Sequence, residues 1–122
     1  MSKIKIKIRA IEIEGEIFET SLGKKIMEKL PFTSKASLWG KEVYFEIPVK
    51  EDIEKGQKEV EKGDIAYWPD GHCLCLFFGP TPISSGDKIL PASEVEVVGK
   101  IKEGIEKLED VRSGEEIEVS GL

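Results

Sequence analysis

From Lys3 to Ile13 apolar and charged residues alternate one for one. Ile4, Ile6 and Ile8 share one face of an extended chain, and after Arg9-Ala10 the apolar set resumes one residue out of phase at Ile11 and Ile13. The pattern predicts a strand with a bulge or bend near Arg9-Ala10. Glu14-Gly15 then predicts a tight turn into a return strand over Glu16 to Glu19. Thr20 or Ser21 caps an expected helix to about Leu30, where Pro31 stops it, with Leu22, Ile26 and Leu30 on one stripe and Met27 beside it.

Phe32 to Trp39 and Glu42 to Pro48 read as a second hairpin, joined at Gly40-Lys41 with glycine where a type II′ turn wants it. Val43, Phe45 and Ile47 take one face of its return strand, Tyr44 and Glu46 the other. Glu46 is either a buried acid in a pocket or part of a solvent face, and the solvent face is the ordinary case. Glu51 to Lys62 is charged and weakly patterned, an exposed connection anchored at Ile53 and Val60.

The densest apolar stretch follows, GDIAYWPDGHCLCLFFGPTP, from Gly63 to Pro82. Ile65 to Trp68 and Cys73 to Phe78 flank a Pro-Asp-Gly turn and predict a central hairpin whose second strand is buried on both faces. Ser85-Gly86-Asp87 predicts a plain turn rather than an anion cradle. A strand over Ala92 to Ile101, a short helix over Glu103 to Leu108 and a last strand over Glu115 to Val119 complete the chain. About eight short strands with two short helices and no repeated βαβ unit predict a mainly β fold, a closed or nearly closed antiparallel barrel with helices at its ends.

Composition narrows the setting. The chain has 122 residues, enough for one domain over 1–122 with a single core. Its net charge of −6 disfavours a nucleic-acid partner, which needs a basic footprint. Lys3, Lys5 and Lys7 form a solvated face that blocks edge pairing. No apolar run approaches the roughly 20 residues that span a bilayer, and no signal-peptide pattern opens the chain, so no membrane association and a cytoplasmic location are expected. Two cysteines one residue apart suit a reducing compartment. The absence of asparagine and the lone Gln57 resemble proteins from hot environments.

Candidate chemistry is sparse. His72, Cys73 and Cys75 are soft ligands, yet on a strand the two cysteines face opposite to His72, and no further cysteine or histidine completes a four-ligand set. No metal and no cofactor are expected. The same geometry disfavours a Cys–His nucleophile pair. No P-loop, dinucleotide fingerprint, nucleophile elbow or HExxH is present. What remains is an aromatic–proline cluster around the second and central hairpins. Alternation puts Ile65 with Tyr67, Ala66 with Trp68, and Leu74 and Leu76 with Phe78. One set fills the barrel; the other is covered or lines a groove. The candidate binding residues are Trp39, Tyr44, Tyr67, Trp68 and Phe78, with His72 and Thr81 as polar contacts, and the expected ligand is a peptide or a small molecule.

The segments SLWGKEVYFEIP and GDIAYWPDGHCLCLFFGPTP resemble the small stand-alone cyclophilin-like proteins of bacteria and archaea. Gly-Asp-x-x-Tyr-Trp-Pro followed by Phe-Phe-Gly-Pro-Thr-Pro is the most specific part. The resemblance implies a closed eight-stranded cyclophilin-like β-barrel with two short helices. True cyclophilins are peptidyl-prolyl isomerases that use an arginine on a barrel strand beside a hydrophobic proline pocket. Here the only arginines are Arg9 and Arg112, and no Phe-His-Arg or Phe-Met-x-Gln-Gly-Gly segment occurs. The expectation is a binding module, with weak isomerase activity or a protein-interaction role as alternatives.

Overall fold

The isoleucine–lysine alternation builds two paired strands rather than one bent strand. In the computed structural model, which describes residues 2–122, β1 (Ser2–Ile8) pairs antiparallel with β2 (Ile11–Ile17), placing Ile8 opposite Ile11 and Ile6 opposite Ile13. The hairpin turn is therefore Arg9-Ala10, with Arg9 at φ +55°, and the turn expected at Glu14-Gly15 lies inside β2. A two-residue loop puts residues three apart opposite each other on one face, which is the cause of the phase shift. Gly15 instead sits at a register irregularity where β2 meets a later strand, β8 (Glu96–Glu103).

Thr20 caps α1 (Ser21–Glu28), its hydroxyl accepting the Gly23 N–H at 3.0 Å. The helix buries Leu22 and Ile26 against the barrel core. The run after it splits: β3 (Phe32–Lys35) pairs with the C-terminal strand β9 (Glu116–Gly121), whereas β4 (Ser37–Leu38) pairs with β5 (Glu42–Glu46). The second hairpin is thus shorter than expected, although its turn holds Gly40 at φ +60° as a type II′ turn requires. β6 (Asp64–Trp68) and β7 (Cys73–Phe77) form the central hairpin, and a 3₁₀ helix (Ile105–Asp110) precedes β9.

The strands make one sheet in the order β3-β9-β1-β2-β8-β6-β7-β5-β4. Its two edges, β3 and β4, are separated in the chain by Ala36 alone. One bent run therefore joins both edges, and the sheet curls into a nearly closed barrel. Counted once, that run reduces the nine segments to the expected eight. Curling also demands a close approach of β2 to β8. Gly99 supplies it, because a Cβ there would run into the Glu16 carbonyl oxygen.

The barrel interior is filled by Ile4, Ile6, Ile8, Ile13 and Ile17, with Val43, Phe45, Ile65, Tyr67, Leu74, Leu76 and Phe78 from the other half. Each such side chain contributes about 1.5–3 kcal/mol of burial free energy. The outer face of the β5–β7–β6–β8 half is apolar as well: Ala66, Cys73, Cys75 and Phe77 form a second cluster with Val60 and Val95. Two connecting segments cover that face, held by antiparallel bridges between Gln57 and Val95 and between Val60 and Ile89. The cover is incomplete, and its margin lies beside Tyr44 and Trp68. Among the described residues no helix is long and apolar enough to cross a membrane.

Candidate functional site

Where the covering segments stop, Tyr44 of β5 and Trp68 of β6 are left partly open. Alternation along β5 sends Val43 and Phe45 inward, so Glu42 and Tyr44 face outward; on β6 the same rule turns Trp68 outward beside Ala66. Tyr44 and Trp68 meet edge to face, with centroids 6.3 Å apart and 81° between planes. Trp39, at the entry of the β4–β5 turn, and Pro91, Ala92 and Val95 of the covering segment close a cavity of about 230 Å³ around them. Trp68 is held in place by its own polar edge: its indole N–H donates to Ser93 Oγ at 2.6 Å, and Ser93 donates to Asp70 at 2.7 Å.

Glu42 is the one charged residue in that lining, and the residue is only 6% exposed. Burial raises its pKa to about 7, opposed by a hydrogen bond from the Cys75 thiol beneath it. The effect on the thiols is reciprocal. Burial, with Glu46 and Glu42 nearby, pushes Cys73 up to about 11, and burial together with Glu42 raises Cys75 well above the ordinary thiol range. These cysteines are protonated, small apolar side chains at neutral pH. No group of three or more histidine, cysteine or acidic residues is placed to hold a metal ion among the described residues.

Three of the seven expected residues, Trp39, Tyr44 and Trp68, are brought together here. Tyr67 and Phe78 are not: both point into the barrel, where Tyr67 is fully buried. His72 occupies a left-handed turn position, φ +53°, and its carbonyl accepts the Ile47 N–H, joining the central hairpin to the end of β5. Thr81 is buried, its hydroxyl bound to the Leu90 carbonyl and Ser84, and so pins the loop that carries Pro91. Glu46 is exposed. Glu42 was missed, and its parity with Tyr44 was the signal that pointed to it. Pro91, Ala92 and Val95 carried none, because their approach depends on long-range bridging.

Two further depressions border this cavity. One shares Tyr44 and Trp68 and continues to Ser34, Lys35 and Ser37. The other shares Pro91 and Ala92 and reaches Ile83, which is 50% exposed. Together they make a trough across the open side of the barrel, with Trp68 near its middle. Neither arginine borders it. Arg9 pairs with Glu115 at 3.3 Å, and the Arg112 backbone N–H donates to the same carboxylate at 2.6 Å.

Residues 2–120 match the family described as Cyclophilin-like. Among solved structures, the solution structure of a hypothetical protein from Archaeoglobus fulgidus is 40% identical, with a TM-score of 0.84, and the match covers 99% of this chain and 95% of that one. No match to this chain is found among curated proteins.

Proposed function

The chain belongs to the cyclophilin-like family, and on that premise we propose that it is a binding protein, taking a short peptide segment or small ligand in the trough centred on Trp39, Tyr44 and Trp68. The observation that carries this reading is the cavity of about 230 Å³ in which two tryptophans and a tyrosine remain partly open. Large aromatic surface left at the edge of an otherwise covered apolar face is costly unless something covers it. Convergent aromatics with one polar group are what a small-ligand site presents.

The reading is binding without turnover. The prolyl bond rotates over a barrier of about 20 kcal/mol, and its catalysis requires a donor directed at the developing charge. Glu42, the sole charged group of the lining, is an acceptor once ionised above its pKa of about 7, so the lining offers no cationic donor of the arginine kind. Screening a random peptide library against the protein, followed by Trp68→Ala and Tyr44→Ala variants whose folding is checked by circular dichroism, tests the site. Selected peptides should lose binding in both folded variants. Binding that survives both substitutions overturns the assignment, and clear acceleration in a protease-coupled prolyl-peptide assay would move the protein to the isomerases.

A further inference from the structure

We propose that the aromatic cavity selects an alkylammonium group, with the Glu42 carboxylate as its counter-ion and the faces of Trp39, Tyr44 and Trp68 around it. This rests on the reading of the trough as a binding site and specifies what the site takes.

The argument starts from an acid without a cation. Glu42 is 6% exposed, and its hydrogen-bond partner is the Cys75 thiol. Its neighbour Lys41 turns away to Glu109 at 3.0 Å. Buried carboxylates are ordinarily paired, because an isolated ion in apolar surroundings costs several kcal/mol. The groups near Glu42 do not relieve that cost. Cys73 and Cys75 on β7 are neutral thiols, Glu46 on β5 is itself acidic, and Asp70 in the central turn is committed to Ser93. A cation entering the cavity would meet the missing charge.

The walls favour the same guest. A cation over a tryptophan or tyrosine face gains attraction from the ring quadrupole, and most strongly where water is excluded. Size restricts it further. At about 230 Å³ the cavity is below the roughly 300–1,000 Å³ of sites for drug-sized molecules. It admits one side chain or one head group. A lysine side chain and a free primary amine present the same chemistry.

Binding of Ac-Gly-Lys-Gly-NH2 and of its norleucine counterpart, read from the indole N–H signals of Trp39 and Trp68 in ¹⁵N NMR spectra, tests this directly. At pH 8 the lysine peptide should bind about tenfold tighter than the norleucine peptide, and E42Q should erase that difference. With a carboxyl of pKa about 7, the ionised fraction falls about tenfold from pH 8 to pH 6; the lysine preference should fall with it in the wild type alone. Equal binding of the two peptides at the indoles overturns the cation inference and leaves the trough as a binding site. If neither peptide nor n-butylammonium moves the indole signals, both readings fail. Should n-butylammonium match the lysine peptide, the source is a free amine; should it bind more weakly, the source is a peptide side chain, and either supports the alkylammonium class.

Discussion

The Tyr67 phenol donates to the Val49 carbonyl at 2.6 Å, and the same oxygen accepts the Glu51 N–H at 3.2 Å. This side chain reaches from β6 through the barrel interior to fasten the segment that leaves β5. Its hydroxyl is structural, and its ring is core. Tyr67→Phe keeps the ring and leaves a buried carbonyl and N–H without that partner, at a cost of about 1–3 kcal/mol. Urea unfolding should show the loss, while ligand affinity at the aromatic trough stays unchanged. A variant of wild-type stability with impaired binding would return Tyr67 to the site.

The pH dependence of folding stability reports Glu42. Its folded pKa of about 7 lies above the ordinary carboxyl value of 4.5, so between the two the native state binds more protons than the unfolded chain. Stability therefore falls as pH rises from about 4.5 to 7 on this account, and the loss is constant above that. The shift, discounted for the residual solvent contact of the group, corresponds to about 2–3 kcal/mol. Glu42→Gln should be the more stable protein at pH 8, with the difference shrinking toward pH 4.5. Parallel denaturation curves at several pH values check the sign.

Thiol reactivity should be negligible in the native state. Cys73, with its pKa pushed up to about 11, and the still more deeply buried Cys75 expose almost no thiolate at pH 8. Iodoacetamide should leave both unmodified by mass spectrometry until denaturant is added. Rapid native alkylation of either one would contradict the packing of the second cluster.

Gly99→Ala should be the most damaging methyl addition among the strand glycines. The Cβ meets the Glu16 carbonyl across the β2–β8 seam, where backbone has to move. A loss of about 2–4 kcal/mol is expected from overpacking. Gly121→Ala, with nothing within 4 Å of the new methyl, should change stability by no more than about 0.5 kcal/mol. Their two melting temperatures, measured together, separate a local clash from a general effect of removing glycine.

Alternation alone was enough to divide the two faces of the central hairpin, because side chains at positions i and i+2 of a strand share a side whatever the strand pairs with. Ile65 with Tyr67, and Ala66 with Trp68, fell on opposite faces as that rule requires. The chemistry of Thr20 and the turn geometry of Gly40 were legible for the same reason, since both depend on neighbours three residues away or fewer. So was the family, carried by a short run of tyrosine, tryptophan, proline and glycine. Which face was the interior was a different question. It depended on β3 and β4 taking different partners across Ala36, on β2 and β8 meeting at two glycines, and on Val60 and Val95 being carried over the outer face. Those pairings join residues tens of positions apart, and their free energy comes from burial that no local pattern encodes. The tertiary structure therefore decided that Tyr67 is core, that Trp68 is partly open, and that Glu42 lines the same cavity as Trp68 as a buried acid.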